Sequence, residues 1–209
     1  MVSSVTKLVE NGEGLVKKAM LTNKFNRIKS QDRYMIPPKK LGPDFLSISK
    51  EMENTMVYVV WALDPPGYDR ILVEKSTCLL SLDRLGAQVL HRDQNLETMN
   101  DRLEGRKRAA TRGNTRPQPP PYSALCSFQE GTSLRFVDGS HFDHHKEYSA
   151  ESAVDYPIPR GWGLLWYGLS VHGGAGCTLP WLARLHMYLR MLGCPDAATG
   201  KIDLAEASG

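Results

Sequence analysis

The stretch QVLHRDQN, Gln88 to Asn95, ends an apolar run with a histidine and an aspartate two positions apart. Side chains two apart on a strand share a face, so His91 and Asp93 can address one ion while Arg92 points away. Three readings compete: a kinase-type catalytic loop, half of a metal site, or a charged strand end. A kinase loop needs an asparagine at a set distance after the aspartate, a glycine-rich loop upstream and a DFG motif downstream. The sequence has none of these.

The surroundings of this stretch set the fold class. ILVEKSTCLLSL, AQVLH, YSALCSF, TSLRFV, GLLWYGLSV and ARLHMYL are short segments rich in Val, Leu, Phe, Trp and Tyr. Turn signals such as Asp-Arg-Leu-Gly, Gln-Glu-Gly-Thr and Asp-Gly-Ser separate them. Many short strands with frequent turns indicate a β-sandwich or barrel. Upstream, Val5, Leu8, Val9, Leu15, Val16, Met20 and Phe25 recur at roughly helical spacing, interrupted by Gly12 and Gly14. That predicts one or two short amphipathic helices, ended by Pro37-Pro38. MVYVVWA, residues 56–62, reads as a buried strand or the end of a helix entering one. The expected organisation is an N-terminal helical extension over 1–55, a β domain over 56–190 and a tail over 191–209.

The 209 residues suffice for one domain with a sizeable core. Hydrophobic residues make up 41% and charged residues 23%, a balance that argues against wholesale disorder. A net charge of +3 does not by itself imply nucleic acid. Cys78, Cys126, Cys177 and Cys194 are widely spaced without a CxxC pair, so they read as free thiols in a reducing compartment. The N-terminus lacks the apolar region of a signal peptide, and no apolar run is long enough to span a membrane. A soluble intracellular protein, cytoplasmic or nuclear, is expected.

A second candidate motif is His172-Gly173-Gly174-Ala175-Gly176. As an esterase oxyanion loop it needs a GxSxG elbow downstream, and none follows. It also looks like the start of isoaspartyl-peptidase chains, but there the motif is near the N-terminus. Combined with His91 and Asp93, His172 completes two histidines and one carboxylate. Such a set holds one face of a metal ion and leaves three positions open, as Fe(II) oxygen chemistry requires. From Asp93 to His172 is 79 positions (172 − 93), room for several strands. His141-Phe142-Asp143-His144-His145 contains a second HxD, but it follows a turn signal only 29 positions (172 − 143) before His172. It reads as the start of a polar loop, with a role for His141, His144 or His145 beside the site left open.

Four pieces, in order, resemble the Fe(II)- and 2-oxoglutarate-dependent oxygenase superfamily, nearest its phytanoyl-CoA dioxygenase-like branch. LLSLDRLGAQVLHRD resembles a strand, a Gly turn and Gln-x-x-His-x-Asp. ALCSFQEGTSLRFVDGSH resembles a strand pair closing in Gly-Ser-His. IPRGWGLLWYGLSVHGGAG resembles a Pro-x-Gly turn, a strand and the distal His-x-Gly. ARLHMYL resembles the following Arg-bearing strand. Together they cover residues 75–190.

The resemblance implies a mainly β fold with flanking helices, the double-stranded β-helix or jelly roll of cupin type. It implies Fe(II) on His91, Asp93 and His172, with 2-oxoglutarate and O2 as co-substrates and ascorbate as accessory reductant. It places Arg184, twelve positions (184 − 172) past the distal histidine, on the far carboxylate of 2-oxoglutarate, where a planar guanidinium fits. The competing reading of Arg184 is a strand-edge ion pair. His186 shares its face and can line the same pocket. The expected activity is a dioxygenase that hydroxylates or demethylates its substrate, releasing succinate and CO2. Alternatives are a non-catalytic binding module and a metal enzyme of this fold that does not use 2-oxoglutarate. Residues 101–121 carry six Lys/Arg against two acidic residues and end in a proline run. They read as a mobile loop suited to an anionic substrate, a nucleic acid or phosphorylated metabolite. The competing reading is a solvated loop.

Overall fold

The computed structural model describes residues 2–22, 26–28, 33–63, 71–82, 86–93, 122–143 and 146–191. Three helices, α1 (Val2–Leu21), α2 (Pro38–Leu41) and α3 (Pro43–Leu63), flank two antiparallel sheets. The larger sheet has strand order β1-β2-β3-β9-β4-β7 and the smaller β6-β5-β8. The strands are β1 (Asn26–Ile28), β2 (Arg33–Ile36), β3 (Ile71–Leu82), β4 (Tyr122–Ser127) and β5 (Thr132–Phe136), then β6 (Val154–Ile158), β7 (Gly163–Tyr167), β8 (His172–Gly174) and β9 (Trp181–Met191).

Period-two alternation gives the larger sheet two distinct faces. On β9, Ala183, Leu185, Met187 and Leu189 face outward. There they join Cys78 and Leu80 of β3 and Ala124 and Cys126 of β4 in one core with the helices. Val9 and Val16 of α1 and Phe45, Met52, Met56 and Val60 of α3 close over this face. Phe45 packs on Phe128 with ring centroids 5.6 Å apart. The opposite face meets the small sheet: Leu125 and Trp166 pack with Leu134 and Ile158. Arg184 and His186 of β9 are also buried, and by alternation they point to this inner side.

Residues 56–62 are the last turns of α3, not a strand. Their β-branched composition suggests a strand, but Met52, Met56 and Val60 are buried at four-residue spacing, so packing decides for a helix. The division expected after residue 55 thus falls within α3. Near the N-terminus one continuous helix forms across both glycines. Gly12 is needed there because a β-carbon would meet the Phe128 ring at 2.5 Å. Buried Glu53 of α3 ties this layer to β3, accepting hydrogen bonds from Ser49 (3.0 Å) and from Ser76 (2.6 Å).

Two expected strands are shorter than their sequence suggests. AQVLH makes only an isolated bridge, His91 to His172. GLLWYGLSV is a strand only to Tyr167, followed by a turn before His172. Conversely, β6 forms around Pro157, which an edge strand tolerates. Residues 101–121, His144, His145, Cys194 and the 192–209 tail lie outside the described residues. Among the described residues, no helix is long and apolar enough to cross a membrane.

Candidate metal centre

The segment 86–93 reaches the inner side of the fold by pairing with β8 and the turn before it. Backbone hydrogen bonds link His91 and His172 in both directions (2.8 and 2.9 Å), and the Asp93 N–H donates to the Gly168 carbonyl at 3.0 Å. Gln88 grips Gly174 twice. Its N–H donates to the Gly174 carbonyl at 2.8 Å, and its side-chain oxygen accepts from the Gly174 N–H at 3.0 Å. The two glycines belong to β8 and permit close approach. A β-carbon at Gly173 would lie 3.0 Å from the Gln88 carbonyl oxygen and 3.2 Å from that of Val89. Arg92 points away from the centre. Its side chain donates to the carbonyls of Leu169 (3.1 Å) and Asp143 (3.3 Å), fastening the segment from outside.

This pairing brings His91, Asp93 and His172 together, with one ligand atom from each within 4.8 Å of the others. Both imidazoles are fixed by their own backbone. Nδ1 of His91 donates to the Val89 carbonyl and Nδ1 of His172 to the Ser170 carbonyl, each at 2.9 Å. A carbonyl only accepts, so each Nδ1 carries a proton, and in the neutral ring Nε2 presents a lone pair. Second-sphere bonds of this kind orient histidine ligands. The His172 ring is held by Trp166 at 5.0 Å and Phe136 at 5.5 Å between centroids.

Electrostatics hold the donor set ready for a cation. Burial would raise the Asp93 pKa, but His172 and His186 outweigh it, and the carboxyl is held well below the usual range. Burial pushes His172 down to about 4, against the opposing pull of Asp93. At neutral pH the centre is therefore one carboxylate with an uncharged His172. Oδ2 of Asp93 is buried and has no hydrogen-bond partner, although Nε2 of His172 lies 3.4 Å away. Two acceptors facing each other in a dry site fit a bound cation between them, and this donor set suits a first-row metal ion such as Fe(II).

The sequence left His186 as a possible neighbour of the site and missed Tyr188. His186 stacks on Trp166 and brings Nε2 to 3.7 Å from Asp93 Oδ2. The Tyr188 hydroxyl donates to Asp93 Oδ1 at 3.4 Å. Continuing the alternation from Arg184 through His186 identifies Tyr188 as the next inward residue. Of the second HxD cluster, His141 packs tilted against Phe142 and stacks on Tyr167 instead of joining the centre, and Asp143 is exposed. Trp162, at 67% exposure, does not wall the site; Trp166 does. Arg184 is fully interior, and no ion pair joins it to a carboxylate among the described residues.

No protein-family model matches the chain, and no curated protein matches it by sequence. Solved structures do match in fold. AviO1 from Streptomyces viridochromogenes superposes with a TM-score of 0.62 at 11% identity, over 92% of this chain and 87% of that one. The epimerase SnoN, in complex with Fe3+, alpha-ketoglutarate and nogalamycin RO, gives 0.62 at 11% identity, over 88% and 74%. HygX from Streptomyces hygroscopicus, with nickel, 2-oxoglutarate and hygromycin B bound, gives 0.56 at 13% identity, over 85% and 78%. The fold is thus the mainly β, helix-flanked double-stranded β-helix, or jelly roll.

Proposed function

We propose that this chain is an Fe(II)- and 2-oxoglutarate-dependent oxygenase, with His91, Asp93 and His172 as metal ligands. The observation that carries the reading is the buried, unpartnered Oδ2 of Asp93 facing the bare Nε2 of His172. The neighbours that bind 2-oxoglutarate on the same fold support it. So do the four ordered motifs, which resemble the phytanoyl-CoA dioxygenase-like branch. Fe(II) with 2-oxoglutarate and O2 supplies oxidation of a C–H bond, with release of succinate and CO2.

The protein's part is to position and to shelter. Backbone carbonyls fix both histidine tautomers, and Tyr188 and His186 orient the carboxylate. Trp166 and Phe136 close one wall with apolar rings. Arg184 is the proposed anchor for the far carboxylate of 2-oxoglutarate. The neighbours include a carbocyclase and an epimerase, so hydroxylation or demethylation is one outcome among those this chemistry allows. The basic stretch 101–121 points to an anionic substrate, a nucleic acid or phosphorylated metabolite.

Anaerobic titration with Fe(II) and then 2-oxoglutarate tests the reading. A visible charge-transfer band on adding 2-oxoglutarate is expected, and it should disappear in His91→Ala. Metal uptake without the band would assign a metal enzyme that does not use 2-oxoglutarate. No metal uptake would leave a binding module.

A further inference from the structure

Arg184 is not alone. Arg33, on the short strand β2, points to the same inner face. In the sheet Arg33 lies opposite Ser81 of β3, and Leu79 of β3 lies opposite Arg184 of β9. The two arginines thus sit diagonally across β3, two residues apart in its register and on one face. Their guanidinium groups meet beside Gly174. A β-carbon there would clash with Nη1 of Arg33, with Nη2 of Arg33 at 2.7 Å and Nη2 of Arg184 at 2.8 Å.

Both side chains are almost wholly buried, at 3% and 2% exposure. Among the described residues, Nη1 of Arg33 and Nε of Arg184 have no hydrogen-bond partner, and Arg33 Nη2 reaches the Gly174 carbonyl only in a long 3.4 Å contact. No carboxylate pairs with either among the described residues; the group that both sense is the Cys177 thiol. Burial lowers Arg33 to about 10 and Arg184 to about 9, the latter helped by Arg33. Two like charges held together in a dry site, with donors unused, are a poor arrangement for a protein alone. They are a good one for an anion, because a carboxylate has lone pairs for two guanidinium groups at once.

We propose that Arg33 and Arg184 form a two-guanidinium clamp for one carboxylate of 2-oxoglutarate, with Gly174 left bare to make room for it. This rests on the function proposed above and adds Arg33 as a binding residue. The N-terminal extension, through β2, thereby completes the co-substrate pocket.

Metal-free protein provides the test, with glutarate as probe. Glutarate has the carboxylate spacing of 2-oxoglutarate but no 2-oxo group to chelate a metal. Thermal unfolding in EDTA with increasing glutarate gives a midpoint for the carboxylate site alone. In Arg33→Met and in Arg184→Met that midpoint should rise roughly 10- to 100-fold, as expected when a charged hydrogen-bonding partner is lost. Without ligand, Arg33→Met should unfold no earlier than wild type, because a buried unpaired cation is gone; a purely structural arginine would give a lower unfolding temperature. Arg33→Lys, which keeps the charge and loses the fork, should bind with intermediate affinity and reports on the site if the methionine variant fails to fold. If Arg33 variants bind glutarate like wild type while Arg184→Met does not, the clamp is overturned and the single-arginine anchor stands. If wild type shows no glutarate shift, the clamp is likewise overturned, and the Fe(II) and 2-oxoglutarate band decides separately whether the oxygenase reading survives.

Discussion

Nε2 of His172 lies 3.4 Å from Oδ2 of Asp93, with both side chains buried and no hydrogen-bond donor on that oxygen. The Nδ1 proton of His172 is committed to the Ser170 carbonyl, so Nε2 has none to give. Two lone pairs in a dry site repel each other. The fold holds them in place because His172 is strand-paired with His91 and Asp93 is strapped to Gly168. The backbone thus holds a carboxylate oxygen and an imidazole lone pair facing each other.

Adding a metal ion should therefore stabilise the fold. A ligand at a hundred times its dissociation constant contributes about 2.7 kcal/mol. For a chain of this size that raises the unfolding temperature by roughly 5–10 °C. Thermal unfolding with EDTA and with Ni(II) or anaerobic Fe(II) measures the difference. An equal rise in Asp93→Ala would place the metal elsewhere.

The same centre makes the metal-free protein acid-sensitive. Burial lowers His172 from an ordinary 6.5 to about 4, so the unfolded chain takes up its proton first as pH falls. The stabilisation from keeping His172 neutral is complete above pH 6.5 and is lost as pH drops toward 4. Asp93, also depressed, acts in the same direction at still lower pH. Urea unfolding should show about 2 kcal/mol less stability at pH 5 than at pH 7.5. Bound metal should suppress the loss, and a flat profile in the metal-free protein would contradict this account.

How much of this centre can be read in the sequence depends on periodicity. His91 and Asp93 are legible because two-residue spacing puts both on one face, and Arg184 and His186 share that signature on β9. Tyr188 follows from the same rule extended by one step. Arg33 does not, because RYMI is four residues long and nothing local says that it pairs with β3 beside β9. Its position comes from long-range pairing alone. At residues 56–62 the sequence leaves a strand and a helix end both open, and the helical face Met52, Met56 and Val60, buried in the core with the larger sheet, decides for the helix end. Gly173 and Gly174 stand out in the sequence, but only their three-dimensional neighbours show that crowding requires them.

Gly173 offers a direct test of that crowding. Both close atoms facing its missing β-carbon are backbone carbonyl oxygens of the 86–93 segment, which cannot swing aside as a side chain would. Gly173→Ala should push the segment off β8 and cost about 1–3 kcal/mol, the usual range for overpacking. Because that segment carries His91 and Asp93, Ni(II) affinity should fall along with stability. Thermal unfolding and calorimetric titration read the two losses. A stability loss with unchanged affinity would mean that the ligands are not held by this contact.

Tyr188 separates positioning from packing most cleanly. Burial, and then the neighbouring Asp93 carboxylate, raise its phenol far above its ordinary range, so the hydroxyl stays protonated at any working pH and remains a donor. It donates to Oδ1 of Asp93 at 3.4 Å, the oxygen that does not face His172. That bond fixes the rotation of the carboxylate and leaves Oδ2 aimed at the proposed metal position. Tyr188→Phe keeps the ring and its contact with His186, so the fold should hold within about 1 kcal/mol. Metal affinity should fall by about tenfold, the lower end of what second-sphere partners contribute. Calorimetric titration with Ni(II) on wild type and variant gives the ratio. An unchanged affinity would show that the histidines and backbone straps alone set the geometry of Asp93.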